Sequence, residues 1–218
     1  MEFWSVPLAW QGETVVVMAS GPSMNQSIAN CVKRAQVPCI AVNNTFKLAP
    51  WADMLYAADA KWWTETPKAQ EFEGLKVSVR REFDPPMPYL HQLRHSGTQG
   101  YDPDPRNLRT GGNSGYQAVH IAAQAGAARI LLCGFDMNGG HWHGDHAEPL
   151  RNTILDSYKI WIKHFHTLAS SLQQRGVEVI NCTPGSALDA FPMATLESGL
   201  GNTGREQCST PLQGALII

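Results

Sequence analysis

The stretch Thr14–Ser23 constrains the fold of this chain more than any other. Three β-branched residues, Val15–Val17, lead into the small-residue turn Ser20-Gly21-Pro22-Ser23, after which residues 25–34 read as a helix. A strand, a tight turn and a helix in this order form the unit from which open α/β sheets build anion and nucleotide sites. The alternative is the same turn without a ligand, because short glycine motifs are weak evidence by themselves.

The same alternation of strand and helix continues along the chain. Further strands are predicted at residues 39–43, 54–58, 76–79, 129–133 and 177–181, and helices at 26–34, 61–70, 114–125 and 153–174. In the last helix the apolar residues recur in steps of four and three, which is the helical period. Strands alternating with helices predict a single Rossmann-like α/β domain, with a mostly parallel sheet and helices on both faces.

Composition shifts suggest how the chain is organised. Residues 1–13 are rich in aromatic residues and are predicted to form an N-terminal arm, followed by the domain at residues 14–196. Residues 84–113 are rich in proline and glycine and are predicted to form a long loop or lid, since such loops are usually functional or mobile. Residues 197–218, rich in glycine, serine, threonine and glutamine, are predicted to form a flexible C-terminal tail.

Composition also excludes several classes of protein. A formal net charge of −2 gives no sign of a basic surface for nucleic acid. Because no segment is apolar over the roughly 20 residues of a membrane span, no membrane partner is expected. The N-terminus lacks a signal-peptide pattern and the five cysteines lack CxxC spacing, so a cytoplasmic protein is predicted. The composition is compatible with a homo-oligomer.

Polar or small residues follow four of the predicted strands: Ser20-Gly21, Asn43-Asn44, Asp59, and Gly134 with Asp136. The carboxyl ends of parallel strands share one edge of a sheet, and ligands bind there where the strand order reverses. An asparagine amide both donates to and accepts from a ribose or a base. These residues are therefore predicted to bind a nucleotide, the alternative for each asparagine being a turn or cap residue.

A second candidate phosphate site is the turn Asn113-Ser114-Gly115, which precedes an alanine-rich helix. Asn113 or Ser114 is a natural N-cap, and the following N–H groups are free to hold a phosphate. An ordinary capped helix explains the same residues. Three arginines flank these loops and would either neutralise a phosphate or be solvated at the surface: Arg106, Arg109 and Arg151.

The segment with the most side chains able to bind a metal or accept a proton is His141-Trp142-His143-Gly144-Asp145-His146. Its H-x-H-x-D-H spacing matches the metal motif of metallo-β-lactamase-like hydrolases, in which His141, His143, Asp145 and His146 would hold zinc or iron. That family needs a sandwich of two sheets, which the alternation of strand and helix disfavours. The competing interpretations are a general base, with His146 the first choice before His143 and His141, and a polar loop with incidental histidines.

The order of these motifs is similar to that of a known superfamily. VVVMASGPS, IAVNNTF, LYAAD, NSGYQAVHIAAQAGAARILLCGFD and VEVINCTPGSAL resemble, over residues 14–190, the superfamily that joins Campylobacter-type bacterial sialyltransferases with the archaeal 6-hydroxymethylpterin diphosphokinase family, the DUF115 group. Similar chains include bacteriophage and prophage proteins, some of them morphogenetic. The resemblance therefore implies a phage-encoded protein that acts in the cytoplasm of a bacterial host cell.

The resemblance implies roles for particular residues. The turn Ser20–Ser23 and Asn44 or Asn43 would hold the nucleoside, Asn113-Ser114-Gly115 the phosphate side, and one of the loop histidines would act as base. The chain departs from the pattern of the superfamily at three points, and these departures affect recognition of the donor sugar more than binding of the nucleotide. Ser20 replaces an asparagine of the turn, Gly111 stands in place of an arginine, and Met137 and Asn138 lie where the family has tyrosines.

Four functions follow from these observations. The first is a glycosyltransferase that uses a nucleotide-activated sugar of the CMP or UDP/GDP type, with an unidentified acceptor, a loop histidine as base, Asp136 orienting the loop or a ligand, and no required metal. The second is an ATP-dependent diphosphokinase acting on a small hydroxymethyl compound, which would need Mg²⁺. The third is a phage structural protein with a degenerate site. The fourth is a metal-dependent hydrolase.

Overall fold

The computed structural model describes residues 3–79, 87–145, 148–150 and 152–201. In chain order its strands are β1 Thr14–Met18, β2 Cys39–Val42, β3 Met54–Tyr56, β4 Leu75–Val79, β5 His91–Gly97, β6 Asn107–Arg109, β7 Arg129–Cys133 and β8 Glu178–Asn181. Its helices are α1 Gln26–Ala35, α2 Ala60–Glu65, α3 Ser114–Gln124, α4 Leu155–Gln173 and α5 Leu196–Leu200, with 3₁₀ turns at Asn43–Lys47 and Pro67–Glu71. Among the described residues, no helix combines the length and the apolar character needed to cross a membrane.

The eight strands form one sheet in the order β6-β5-β4-β3-β2-β1-β7-β8, and every adjacent pair is parallel. The chain winds outward from β1 to β6 on one side, then crosses back to β7 on the other side of β1. The order of strands therefore reverses between β1 and β7, where the crossover leaves a crevice at the carboxyl edge. The predicted Rossmann-like α/β fold is confirmed.

Helices cover both faces of the sheet because its central strands are apolar on both sides. Val15 and Val17 of β1 belong to a core shared with α3 and α4, whereas Val16 and Met18 belong to a second core shared with α1 and α2. A strand buried on both faces is a continuous apolar run rather than an alternating one, which is how Thr14–Met18 reads.

The prediction of an irregular loop over residues 84–113 is wrong for two segments, which form the strands β5 and β6. Only Leu93 of β5 and Leu108 of β6 are fully buried, so neither strand has a run of apolar residues that marks it in the sequence. Their pairing places them at one end of the sheet, where β5 joins β4 through Val77 and His91. Residues 80–86 lie outside the described part of the chain.

The first residues pack along this end of the sheet. The backbone N–H of Trp4 donates to Gln92 at 3.0 Å, and the indole of Trp4 stacks on His91 with ring centroids 4.8 Å apart. Val6 N–H donates to the carbonyl of Pro105 at 2.9 Å. At the other end of the domain, α5 occupies the first residues of the segment predicted as a tail.

Candidate active site

A cavity of about 650 Å³ lies at the carboxyl edge of the sheet, at the ends of the adjacent strands β1 and β7. The predicted nucleotide-binding residues that line it are Ser20, Gly21, Pro22, Asn43, Asp59, Asn113, Ser114, Gly115 and Gly134. The predicted catalytic residues that line it are Asp136 and His141. Ser23, Asn44 and His143 lie outside this lining, and His146 and Arg151 lie outside the described residues.

The turns after β1 and β7 interlock across the floor of the cavity. Gly21 N–H donates to the carbonyl of Gly134 at 2.9 Å, and a Cβ at Gly21 would lie 2.0 Å from Oδ2 of Asp136. Asp136 accepts from the backbone N–H and the hydroxyl of Ser23, at 3.1 Å and 2.9 Å. Asp136 therefore orients the Gly-Pro-Ser turn, and Gly21 has no substitute because a side chain there would occupy the position of the carboxylate.

The hydroxyl of Ser20 forms hydrogen bonds with neighbouring groups of the protein. It donates to the carbonyl of Val42 at 3.0 Å and lies 3.2 Å from Oγ1 of Thr45, which itself donates to the carbonyl of Ala19. These hydrogen bonds join the ends of β1 and β2. A ligand at this turn would consequently meet the backbone of residues 20–22 rather than the serine side chain.

The two asparagines after β2 have different environments. Asn43 lines the cavity and has a left-handed backbone, with φ of 50°. Asn44 is buried, and its amide bridges the indole of Trp62 and the imidazole of His143. Of these two asparagines, only Asn43 therefore faces the cavity, while Asn44 connects α2 to the segment that contains His141 and His143, which we call the histidine loop.

The N-terminus of α3 opens into the same cavity. Asn113 is its N-cap, with Oδ1 accepting from Tyr116 N–H at 2.9 Å, and Nδ2 is buried without a hydrogen-bond partner in the described part of the chain. The first-turn N–H groups at Ser114 and Gly115 have no partner within the helix, because helix geometry supplies none. The positive end of the helix dipole adds to this local preference for an anion.

The glycines before α3 are held by α4. Nδ1 of His164 donates to the carbonyl of Gly111 at 2.8 Å, and a Cβ at Gly112 would lie 2.8 Å from Nε1 of Trp161. Both glycines have positive φ, 56° and 85°. His166 faces elsewhere and pairs with Asp189 at 2.9 Å, so the two histidines of α4 do not share a site.

Of the described histidines, His141 lines the cavity. Burial lowers its pKa below the usual 6.5, although its hydrogen bond to the backbone of Ser20 and the nearby carboxylate of Asp145 act in the opposite direction. A neutral imidazole at pH 7 has a lone pair that can accept a proton. His143 stacks on His141, with ring centroids 5.1 Å apart and planes inclined by 6°.

Two carboxylates near the cavity accept hydrogen bonds from other residues of the protein. Asp59 is the N-cap of α2 and accepts from Lys61 N–H at 2.9 Å, and Asp136 binds Ser23. Asp145 is exposed. Within the described residues no three histidine, cysteine, aspartate or glutamate side chains converge as metal ligands, and the proposed metal set includes His146, which is not described.

Arg106 pairs with Asp104, and Arg109 lies 3.8 Å from Asp102.

One wall of the cavity was missed by the sequence analysis. It comes from α4 and the residues before it: Leu150, Thr153, Tyr158 and Trp161. Burial raises the pKa of Tyr158, so its hydroxyl, which is hydrogen-bonded to Thr153, stays protonated at neutral pH. Both aromatic residues belong to the apolar stripe of the helix, which is also the pattern of an ordinary core helix, and the sequence has no signal that separates the two roles.

Comparisons with known proteins agree with the fold. The chain is similar in structure to the MAf glycosyltransferase from Magnetospirillum magneticum AMB-1, with a TM-score of 0.57 and 14% sequence identity, over 88% of this chain and 35% of that one. The chain thus spans about a third of the length of that enzyme, and the likeness is one of fold. No protein-family model and no curated protein matches the chain.

Proposed function

We propose that this protein is a nucleotide-dependent transferase, and most specifically a glycosyltransferase that uses a nucleotide-activated sugar. The observation that carries the proposal is the cavity at the strand-order reversal, which joins the β1 turn to the N-terminus of α3. In doubly wound sheets this crevice is where nucleotides bind. The fold of the MAf glycosyltransferase and the resemblance of the motifs to the sialyltransferase and diphosphokinase superfamily support the same assignment.

In this proposal the nucleoside lies against the backbone of residues 20–22 and the side chain of Asn43. The phosphate is held by the N–H groups of Ser114 and Gly115, at the positive end of the α3 dipole. Each hydrogen bond to a charged phosphate would contribute about 1.5–3 kcal/mol, more than a bond between neutral groups.

His141 acts as the general base that takes the proton of the acceptor hydroxyl as the new glycosidic bond forms, while the bond between the sugar and the nucleotide phosphate breaks and the nucleotide leaves with that electron pair on its phosphate oxygen. Its lowered pKa keeps it neutral at pH 7, as that role requires. The wall formed by Tyr158 and Trp161 would position the sugar or the acceptor beside His141, and alignment of the reacting groups accounts for much of the rate enhancement in such displacements.

A thermal-shift panel tests the proposal on purified protein with CMP, CDP, UDP, GDP and ATP, each in EDTA, Mg²⁺ or Zn²⁺. Ligand at a hundred times its dissociation constant stabilises the folded state by about 2.7 kcal/mol, which is a measurable shift. A shift with one pyrimidine or guanine nucleotide in EDTA supports the glycosyltransferase and identifies the donor class. A shift with ATP only when Mg²⁺ is present indicates the diphosphokinase instead. No shift under any condition contradicts both.

A further inference from the structure

Three side chains connect α2 to the histidine loop across the end of β2. Nε1 of Trp62 lies 3.1 Å from Oδ1 of Asn44, and Nδ2 of Asn44 lies 3.1 Å from Nε2 of His143. Trp62 and Asn44 are buried, at 3% and 8% of their full exposure, so the hydrogen bond between them is shielded from water, whereas the bond to His143 is partly buried. Asn44 and His143 are 99 residues apart in the chain.

The chemistry of these groups determines the direction of each hydrogen bond. An indole N–H only donates, so it fixes which end of the Asn44 amide is the carbonyl oxygen. The amide nitrogen then faces Nε2 of His143, and because an amide nitrogen only donates, Nε2 must accept. A ring nitrogen that accepts has no proton, and a neutral imidazole therefore carries its proton on Nδ1.

We propose that Asn44 is a positioning residue that holds His143 as the neutral tautomer protonated on Nδ1, so that this ring supports His141 against the cavity by stacking. The catalytic meaning of the proposal rests on the proposed function, in which His141 is the base. Asn44 thereby has a different role from nucleoside binding, the role that its position after β2 suggested.

The tautomer matters because of what His141 has to do. Among the described residues, two titratable groups near His141 are the stacked ring of His143 and the carboxylate of Asp145. An imidazolium at position 143, with its centroid 5.1 Å away, would repel the proton that His141 receives. A neutral ring provides the same packing surface without that repulsion, and Asn44 is the group that excludes the second proton.

The experiment is a long-range ¹H–¹⁵N correlation spectrum of the full chain labelled with ¹⁵N-histidine, which distinguishes Nδ1–H from Nε2–H tautomers. His143 is assigned from the spectrum of His143→Gln. We expect the wild-type protein at pH 7.5 to show His143 with its proton on Nδ1. A proton on Nε2 would overturn the proposal.

Substitution of Asn44 tests the cause. In Asn44→Asp, one carboxylate oxygen accepts from Trp62 and the other faces Nε2, which must then donate, so the proton of His143 should move to Nε2. Asn43→Asp is the matched control, since the same change one residue earlier points into the cavity and should leave the tautomer of His143 unchanged. A His143 signal in Asn44→Asp identical to that of the wild type would overturn the proposal.

A second variant keeps the test decisive if Asn44→Asp does not fold. Trp62→Phe removes the indole donor that orients the amide, so Asn44 can rotate and His143 should become a mixture of tautomers. A single unchanged tautomer in this variant would mean that another group orients the ring. None of these spectra needs a nucleotide, so the tautomer can be established even if the thermal-shift panel contradicts the proposed function.

Discussion

Asp136 accepts two hydrogen bonds from Ser23, one from its backbone N–H at 3.1 Å and one from its hydroxyl at 2.9 Å. The two residues follow β7 and β1, the strands between which the order of the sheet reverses. This pair therefore holds together the two turns that form the floor of the cavity. Asp136 is 6% exposed, so the carboxylate depends on these donors in place of water.

Removing the carboxylate should destabilise the protein. Asp136→Ala leaves the N–H of Ser23 without its acceptor and deletes two charge-assisted hydrogen bonds, so we expect the free energy of unfolding to fall by about 2–4 kcal/mol in urea denaturation. Ser23→Ala removes only one of the two bonds and should lose less. Because the residues act as a pair, the double variant should be only slightly less stable than Asp136→Ala, and additive losses would contradict this arrangement.

Gly21→Ala should be destabilising because of a steric clash rather than an unfavourable backbone conformation. The added Cβ would lie 2.0 Å from Oδ2 of Asp136 and 2.5 Å from the carbonyl oxygen of Gly134, so the two turns would have to separate. Overpacking of this kind typically costs about 1–3 kcal/mol. Gly185→Ala is the control, since nothing lies within 4 Å of its Cβ and only the strain of φ at 66° remains. A Gly21→Ala protein as stable as the wild type would contradict the close approach.

Acid should weaken the fold through His120. Burial lowers the pKa of His120 to about 3, and Nε2 accepts from the backbone N–H of Asp102 at 2.9 Å. The folded state therefore binds fewer protons than the unfolded state between pH 6.5 and about 3. The stability from this histidine is complete above pH 6.5 and is lost as the pH falls through that range, by about 1.4 kcal/mol per pH unit.

The measurement is the free energy of unfolding between pH 7.5 and 5 for the wild type and His120→Gln. Glutamine retains an acceptor for Asp102 N–H and does not titrate, so the variant should lose about 2 kcal/mol less than the wild type between pH 7 and 5. Parallel curves for the two proteins would show that His120 is not the group responsible.

His141→Gln should separate catalysis from binding. Loss of a general base typically lowers the rate by about 10²–10⁴-fold, whereas the nucleotide contacts assigned to α3 are untouched. We expect the rate of transfer from the donor identified by the panel to fall in this range, with unchanged nucleotide affinity. His166→Gln, on α4 and paired with Asp189 at the surface, should retain the wild-type rate. An equal loss in both variants would refute the role of His141.

The sequence predicts the central strands and the main helices because their signals are local. Val15–Val17 is buried on both faces and α4 has a continuous apolar stripe, so each pattern indicates its element without help from the rest of the chain. β5 and β6 have no such pattern. Their backbone pairing, for example Arg94 N–H to the carbonyl of Arg106 at 2.7 Å, depends on the edge that β4 presents.

The site was predictable to the extent that parallel topology brings strand ends together. Gly21, Asn43, Asn113 and Gly134 meet at one cavity, as the positions of their strands and helix imply. The partner of each side chain was not predictable. Asp136 and Ser23 are 113 residues apart, and nothing near Asn44 in the sequence indicates that its amide binds a histidine 99 residues away.

The measurement that tests the central claim most directly is nucleotide affinity in Asn113→Asp, by isothermal titration calorimetry with the nucleotide that gives the largest thermal shift. Aspartate is as good an N-cap as asparagine, so α3 should stay intact, but the substitution places a negative charge beside the N–H groups that we assign to the phosphate. We predict an affinity at least about tenfold weaker than that of the wild type. Asn25→Asp, the same change at the N-cap of α1 away from the cavity, should bind as the wild type does. Equal affinity in all three proteins, or no binding by the wild type, would contradict a phosphate site at the start of α3.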